Sequence, residues 1–485
     1  MGAKKAASYL TTSLLLPVVV FGLIKHIASP VTGFADDDSW FYAQIAHSWP
    51  HAGFPTFDGI HETSGFHLLW GAILAGLAWC VSLFSDDKAV HAAAYISVYL
   101  LIVIAVVDLA TAKSPHRRAL IPAAFCTLIL CAFLMETALL TLVLLLVGRT
   151  LEDPGNRPSG LSRNTALLAC ACALLPLCRF DATLVPLVWA ALDRRRQIVL
   201  PMILGSAAGA LIQLAAMHAL FGHWFSVSSM LKVSYAMGGR SAPVGETLNF
   251  GTVYRAILAL ALGLAASFSL RHYPKNLRRV RLGALVGVSC FSLGHIALGS
   301  ARSWYFFPMY GICWWLMAAP VAYAIKHRGP LRSFSIASLA VALLVGGGAI
   351  WKGYRYVTKQ KDSARSWNFI EKITQLVPQD GRIYEIDASG FPGYWSDRSV
   401  TNGDGLVNSY TYARQLASGQ LEGYLEKEGI CWLIVTGRVV DRSPGMVLNF
   451  NGLAVRASEV ETLYPTGKIR KNGTQLLTMT TDHCR

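Results

Sequence analysis

Charge is scarce in this chain, and acidic charge is scarcest. Only 15% of the 485 residues are Asp, Glu, Lys or Arg, against about 25% in a soluble domain. Lys and Arg number 43 and Asp and Glu 28, a net charge of +15. No P-loop and no GxGxxG occurs, which leaves soluble nucleotide binding unsupported. HExxH is absent, and HETSGFH (61–67) has the wrong spacing for two histidines on one helix face. The ten cysteines form no CxxC pair, so nothing marks a zinc or redox centre. Cys170, Cys172 and Cys178 read as small helix residues. Internal repeats and low-complexity segments are missing too.

What is present is apolar: 53% hydrophobic residues and a mean hydropathy of +0.42. Runs near membrane-spanning length recur over roughly the first 350 residues, which predicts an α-helical polytopic membrane protein. Lys4 and Lys5 precede the first run, about Ser8 to Ile24, which reads as an anchor with its positive end inside rather than a cleaved signal peptide. The run Phe66–Phe84 decides the topology. If it crosses, Lys113, Arg117 and Arg118 fall outside. If it lies in the interface as a juxtamembrane helix, the run His91–Ala112 carries the chain back and those cations fall inside. The second choice sets later spans at about 119–135, 136–148, 165–178, 182–193, 197–217, 252–270, 282–299, 305–325 and 333–352. It also places Arg149–Arg163, Arg194 to Arg196, Arg271–Arg281 and Lys326–Arg332 in inner loops, as the positive-inside rule asks. About eleven spans result, N-terminus in and C-terminus out, and 136–148, 165–178 and 182–193 are short for a bilayer.

From about Lys352 the sequence turns polar and Gly-rich. SWNFIEKITQLV (366–377) and QLEGYLEKEG (420–429) have helical character; GRIYEID (381–387) and ICWLIV (430–435) have strand character. The expected division is a membrane domain, 1–352, and a small α/β domain on the outer face, 353–485. Cys431 and Cys484 lie in the latter, and both pairing and two free thiols are open readings.

Ionisable residues collect in the outer loops. The first loop holds Asp36, Asp37 and Asp38, then His47, Asp58, His61, Glu62 and His67. Others follow: Glu136, Arg179 and Asp181 in CRFDA, Lys232, His295, Arg302 and Tyr305. The outer cations are few and sit in separate loops, as expected if they converge on an anion. A positioned carboxylate at the membrane surface can act as general base toward a hydroxyl, contributing about 10²–10⁴ in rate. Adjacent acids can also share a divalent metal. DDDSWFYAQIAHSW equally fits an N-capped amphipathic helix. Arg179 and Asp181 interrupt an apolar run, where an ionisable residue costs about 2.5–3.5 kcal/mol and usually faces a cavity or a partner. They read as a structural pair, or as a phosphate-binding Arg held by its Asp. Lys232 is either solvated or a phosphate ligand, and Arg302 either snorkels beside its aromatics or joins them. Most Trp and Tyr residues read as an interfacial belt.

In order along the chain, Asp37-Asp38-x-x-x-Tyr42, PTFDG (55–59) and SGFHLLW (64–70) resemble the GT-C superfamily of membrane glycosyltransferases. METAL (135–139), CRFDA (178–182), FGHWFSVSSMLK (221–232), RSWYFFP (302–308) and GYWSDRSVTNGDGLVNSYTY (393–412) look like further blocks of bacterial members. Ser64 stands where Asn is common and Leu68 where Pro is common. The resemblance implies a sugar donor on a polyprenyl phosphate, an acceptor entering from the periplasmic side, and inversion at the anomeric carbon. The base matches Asp37, with Asp38 beside it and Asp36 one residue out of register. Arg179, Lys232 and Arg302 are the implied phosphate ligands. Asp36, Tyr42, His61, Glu62, His67, Glu136, Asp181, His295 and Tyr305 are the remaining substrate-side candidates. No cofactor is implied beyond the lipid-linked donor, and some relatives need a divalent metal. Arabinofuranosyltransferases of cell envelopes and of type IV pilins resemble this architecture, so the expectation is transfer of one sugar, arabinofuranose or another pentose. The acceptor would be a pilin-type protein, a glycan or a lipid at the bacterial inner membrane, and nucleic acid is no partner. The alternatives are a flippase for lipid-linked sugars, which should show repeats or matched broken helices, a non-catalytic envelope scaffold, and a transferase of phosphoethanolamine or whole oligosaccharides.

Overall fold

The computed structural model describes residues 37–112, 121, 124–125, 128, 134–152, 163–193, 195–237, 250–297, 302–326, 360–385, 389–436, 447–450, 453–456, 460–465, 474–479 and 484. The spans expected at 8–24 and 333–352, most of 119–135, and Asp36 lie outside the described residues.

Up to residue 326 the described chain is helical: α1 (Asp37–Ala52), α2 (Leu68–Ser82), α3 (Lys88–Thr111), α4 (Thr137–Glu152), α5 (Arg163–Cys178), α6 (Leu184–Asp193), α7 (Arg196–Phe221), α8 (Val227–Met237), α9 (Phe250–Ser269), α10 (Lys275–Ala297) and α11 (Phe307–Lys326). Short 3-10 turns, Phe180–Thr183 and Ser303–Phe306, precede α6 and α11. Among the described residues three helical stretches are long and apolar enough to cross a membrane: α3, Gln197–Phe221 of α7 and Leu277–Ala297 of α10. α2, most of α5 and the second half of α9 are apolar but shorter. Trp79 on α2 and Phe84 just beyond it are 60% and 90% exposed, a surface fit for lipid.

α11 is the hub. Every residue from Trp304 to Ala318 is buried, and α3, α4, α9 and α10 pack around it. A helix apolar on all sides belongs in the middle of a bundle. α5 and α7 meet through small residues. A Cβ on Gly205 or Gly209, one turn apart, would come within 2.2 and 2.1 Å of the Ala169 and Ala173 carbonyl oxygens. Helices in lipid use such contacts to bring backbones close.

After α12 (Gln360–Leu376) comes a five-stranded sheet built from β1 (Arg382–Glu385), β2 (Ser399–Asn402), β3 (Ile430–Thr436), β6 (Val460–Pro465) and β7 (Thr474–Met479), in the order β2-β1-β3-β7-β6. β1 is parallel to β2 and β3, while β7 is antiparallel to β3 and β6. α13 (Gly390–Trp395) connects β1 to β2; α14 (Tyr410–Ser418) and α15 (Leu421–Lys427) connect β2 to β3. A separate hairpin pairs β4 (Val447–Phe450) with β5 (Leu453–Arg456). Cys431 of β3 is disulfide-bonded to Cys484. Open α/β sheets present their loops for binding at the carboxyl ends of parallel strands. Here the segments leaving β1 and β2 meet the loop around α1: Gly390 and Phe391 reach Asp37, and Leu406 lies against Gly65.

Candidate active site

Asp37 and Asp38 share the first turn of α1, where carboxylates suit the unpaired N–H groups of a helix start. Their side chains part at once. Asp37 accepts hydrogen bonds from the backbone N–H groups of Gly390 and Phe391, each at 2.9 Å. Burial pushes its carboxyl up to about 8, against the pull of those two donors. Both Asp37 oxygens are thus engaged by the 390–391 backbone, and the residue does not line the pocket. Asp38 instead lines a pocket, together with Tyr42, His67, Glu136, Arg179, Lys232 and Tyr305.

One wall of that pocket is an ion network. Arg179 occupies an extended residue between α5 and the 3-10 turn and is 4% exposed. Its Nε and Nη2 donate to the two Asp181 oxygens at 3.0 and 2.8 Å, and its Nη1 donates to Glu136. Glu136 is fully buried; it also accepts from the Tyr42 hydroxyl at 3.0 Å and lies 3.5 Å from His67 Nε2. Behind Arg179, Asp181 is 2.9 Å from His295 Nε2. The His295 ring stacks on Tyr305 at 3.8 Å, and the Arg179 guanidinium lies 4.7 Å over the same ring. Burial drops His67 to about 4, so its imidazole is neutral at pH 7. Lys232 projects from α8. The Tyr305 hydroxyl, and then Asp38, hold its ammonium above the ordinary lysine range. The pocket thus sets an acid and a cation among aromatic rings and a neutral imidazole, beside an arginine whose charge is balanced by two carboxylates.

Of the residues singled out in the sequence, the structure gathers Asp38, Tyr42, His67, Glu136, Arg179, Lys232 and Tyr305 around the pocket, with Asp181 and His295 one layer behind. It does not gather them all. Arg302 is exposed just before the 3-10 turn and does not line the pocket. His61 is bonded to Asp58 at 2.7 Å and lies 3.2 Å from Glu428 of the C-terminal α/β part. Glu62 is exposed, in an isolated bridge with Thr56. Asp37 is turned to the Gly390 and Phe391 backbone, as described. The sequence reading missed Ser228, Leu406 and Val407, which also line the pocket. Their advance signal is membership of the blocks 221–232 and 393–412; the contact itself appears only in the structure, where a Cβ on Gly65 would fall 2.0 Å from the Leu406 oxygen. Among the described residues no group of three or more His, Cys, Asp or Glu is placed to hold a metal ion.

No family profile and no curated protein matches this chain in sequence. Solved structures do match it in shape. ArnT from Cupriavidus metallidurans bound to undecaprenyl phosphate is similar with a TM-score of 0.56 and 12% identity, over 97% of this chain and 98% of that one. Its apo state gives 0.50 at the same identity and coverage. An Archaeoglobus fulgidus oligosaccharyltransferase tethered to an acceptor peptide gives 0.50 at 13% identity, over 88% of this chain and 69% of that one.

Proposed function

Starting from the GT-C fold that the chain shares with those transferases, we propose that it is a membrane glycosyltransferase moving one sugar from a polyprenyl-phosphate donor to an acceptor hydroxyl. The observation that carries the proposal is the pairing of Asp38 with Lys232 in one pocket whose wall includes Arg179. Asp38 takes the proton of the acceptor hydroxyl as its oxygen attacks the anomeric carbon. The bond from that carbon to the phosphate oxygen breaks, and the phosphate leaves with the electron pair from the opposite face, inverting the centre. Lys232, helped by the Arg179 guanidinium, stabilises the departing charge where water is partly excluded. Asp37 is assigned to holding the outer domain. A fold relative bound to undecaprenyl phosphate supports the donor class. The sugar, arabinofuranose or another pentose, rests on the resemblance of the motif blocks. A disulfide in residues 353–485 supports an oxidising outer face for that domain, and hence the bacterial inner membrane with an acceptor in the periplasm.

The test is transfer of radiolabel from a panel of polyprenyl-phosphate sugars, arabinofuranose included, to a membrane extract by purified protein in lipid. Asp38→Asn should lower turnover by about 10²–10⁴ while still binding donor. Lys232→Gln should raise the donor KM. Wild-type turnover by Asp38→Asn would remove the base assignment. Label that crosses the bilayer without transfer would make the protein a flippase, and binding without either would make it a scaffold.

A further inference from the structure

α8 brings Ser228 and Lys232 to the pocket, yet its buried side rests on the outer domain. Val227 and Leu231 form one apolar cluster with Ala413, against which Leu406 and Tyr410 pack. The start of α8 is held by a circuit of hydrogen bonds. The Val227 N–H donates to Ser64 Oγ at 3.0 Å, the Ser64 hydroxyl donates to the Tyr410 oxygen at 2.7 Å, and the Tyr410 hydroxyl donates to the Phe225 carbonyl. The circuit leaves the segment 225–227 and returns to it, by way of α1's loop and the outer domain. The His223 ring stacks on Tyr410 at 3.8 Å, which holds the phenol in place. One of the first N–H groups of a helix, with no partner inside the helix, is thereby capped from another part of the chain. A single hydroxyl at Ser64 both accepts and donates.

We propose that Tyr410 is a positioning residue for Lys232: through Ser64 it fixes the start of α8 and so sets how tightly Lys232 holds the phosphate of the donor. This rests on the phosphate role given to Lys232 above. On this view the outer domain is part of the phosphate grip as well as of the acceptor side. Residues of the C-terminal half and of the first loop act on Lys232 without touching substrate.

The experiment measures binding of undecaprenyl phosphate to the full chain in lipid nanodiscs, with thermal unfolding read alongside. Tyr410→Phe keeps the ring and its stack on His223 but removes the donor to Phe225 and the relay to Ser64. It should weaken binding about fivefold, the size expected for one hydrogen bond. Lys232→Gln should weaken it at least as much. Adding Tyr410→Phe to Lys232→Gln should cost nothing further, a non-additivity that general loss of stability does not produce. Ser64→Ala, which breaks the circuit from the other side, should repeat the pattern and serves as the reading if Tyr410→Phe does not fold. If Lys232→Gln weakens binding while Tyr410→Phe and Ser64→Ala do not, the positioning role is wrong and the phosphate role stands. Additive losses in the double variants overturn it equally. If Lys232→Gln binds as the wild type does, both assignments fall.

Discussion

At the scale of single residues, two neighbouring aspartates have been given different surroundings by a backbone that arrives from far along the chain. The raised carboxyl of Asp37 has a consequence for pH. Its ordinary value is 3.8 and its value in the folded protein about 8. The folded state therefore binds a proton that the unfolded chain has released, and stability falls as pH rises between those two values. Thermal unfolding of the wild type should drop between pH 5 and pH 9 more steeply than that of Asp37→Asn, which carries no titrating group there. Parallel slopes would show that Asp37 titrates as a free carboxyl. The sequence displayed the acids and their place at a helix start. It could not tell which one faces the pocket, because Gly390 and Phe391 make that choice from 353 and 354 residues away. Arg302 taught the same lesson in reverse. It neighbours pocket residues Trp304 and Tyr305 in sequence, but the 3-10 turn carries those rings inward and leaves the guanidinium outside.

At the scale of elements, hydrophobic runs announce helices but say little about how helices meet. α5 and α7 are the clearest case. Both are apolar, and their closest approach is set by Gly205 and Gly209 against Ala169 and Ala173. Without a hydrophobic drive between helices in lipid, close packing supplies much of the association. Gly209→Val should push the pair apart and cost about 1–3 kcal/mol, as overpacking does elsewhere. The check is thermal unfolding in detergent beside Gly294→Val on α10, where a Cβ meets nothing within 4 Å. Equal effects from the two substitutions would mean that helix propensity, and not the contact, is being measured. The sequence did not mark these glycines as a contact, since periodicity carries no address.

At the scale of the whole molecule, the two halves join around α1, with Leu406 and Val407 completing the pocket. The disulfide between Cys431 and Cys484 closes a loop 53 residues long in the half that supplies them. Removing it with Cys431→Ser and Cys484→Ser should cost the C-terminal α/β part about 2–4 kcal/mol. Limited proteolysis should then cut within 353–485 at lower temperature, with the helical signal of the membrane part retained. Simultaneous loss of both would mean that the halves unfold as one unit. Many of the helices, and strands β1 and β3, were readable because period and length mark them, while β2 and β4 to β7 were not. The junction was not, because it depends on backbone meeting backbone at Gly65 and Gly390, and a glycine alone names no neighbour.

That junction also orders events in time. A ribosome releases Asp38 early and Leu406 and Val407 late, so a nascent chain holds one wall of the pocket long before the other. The pocket comes into being only when the C-terminal residues have been made and folded against the loop that follows α1.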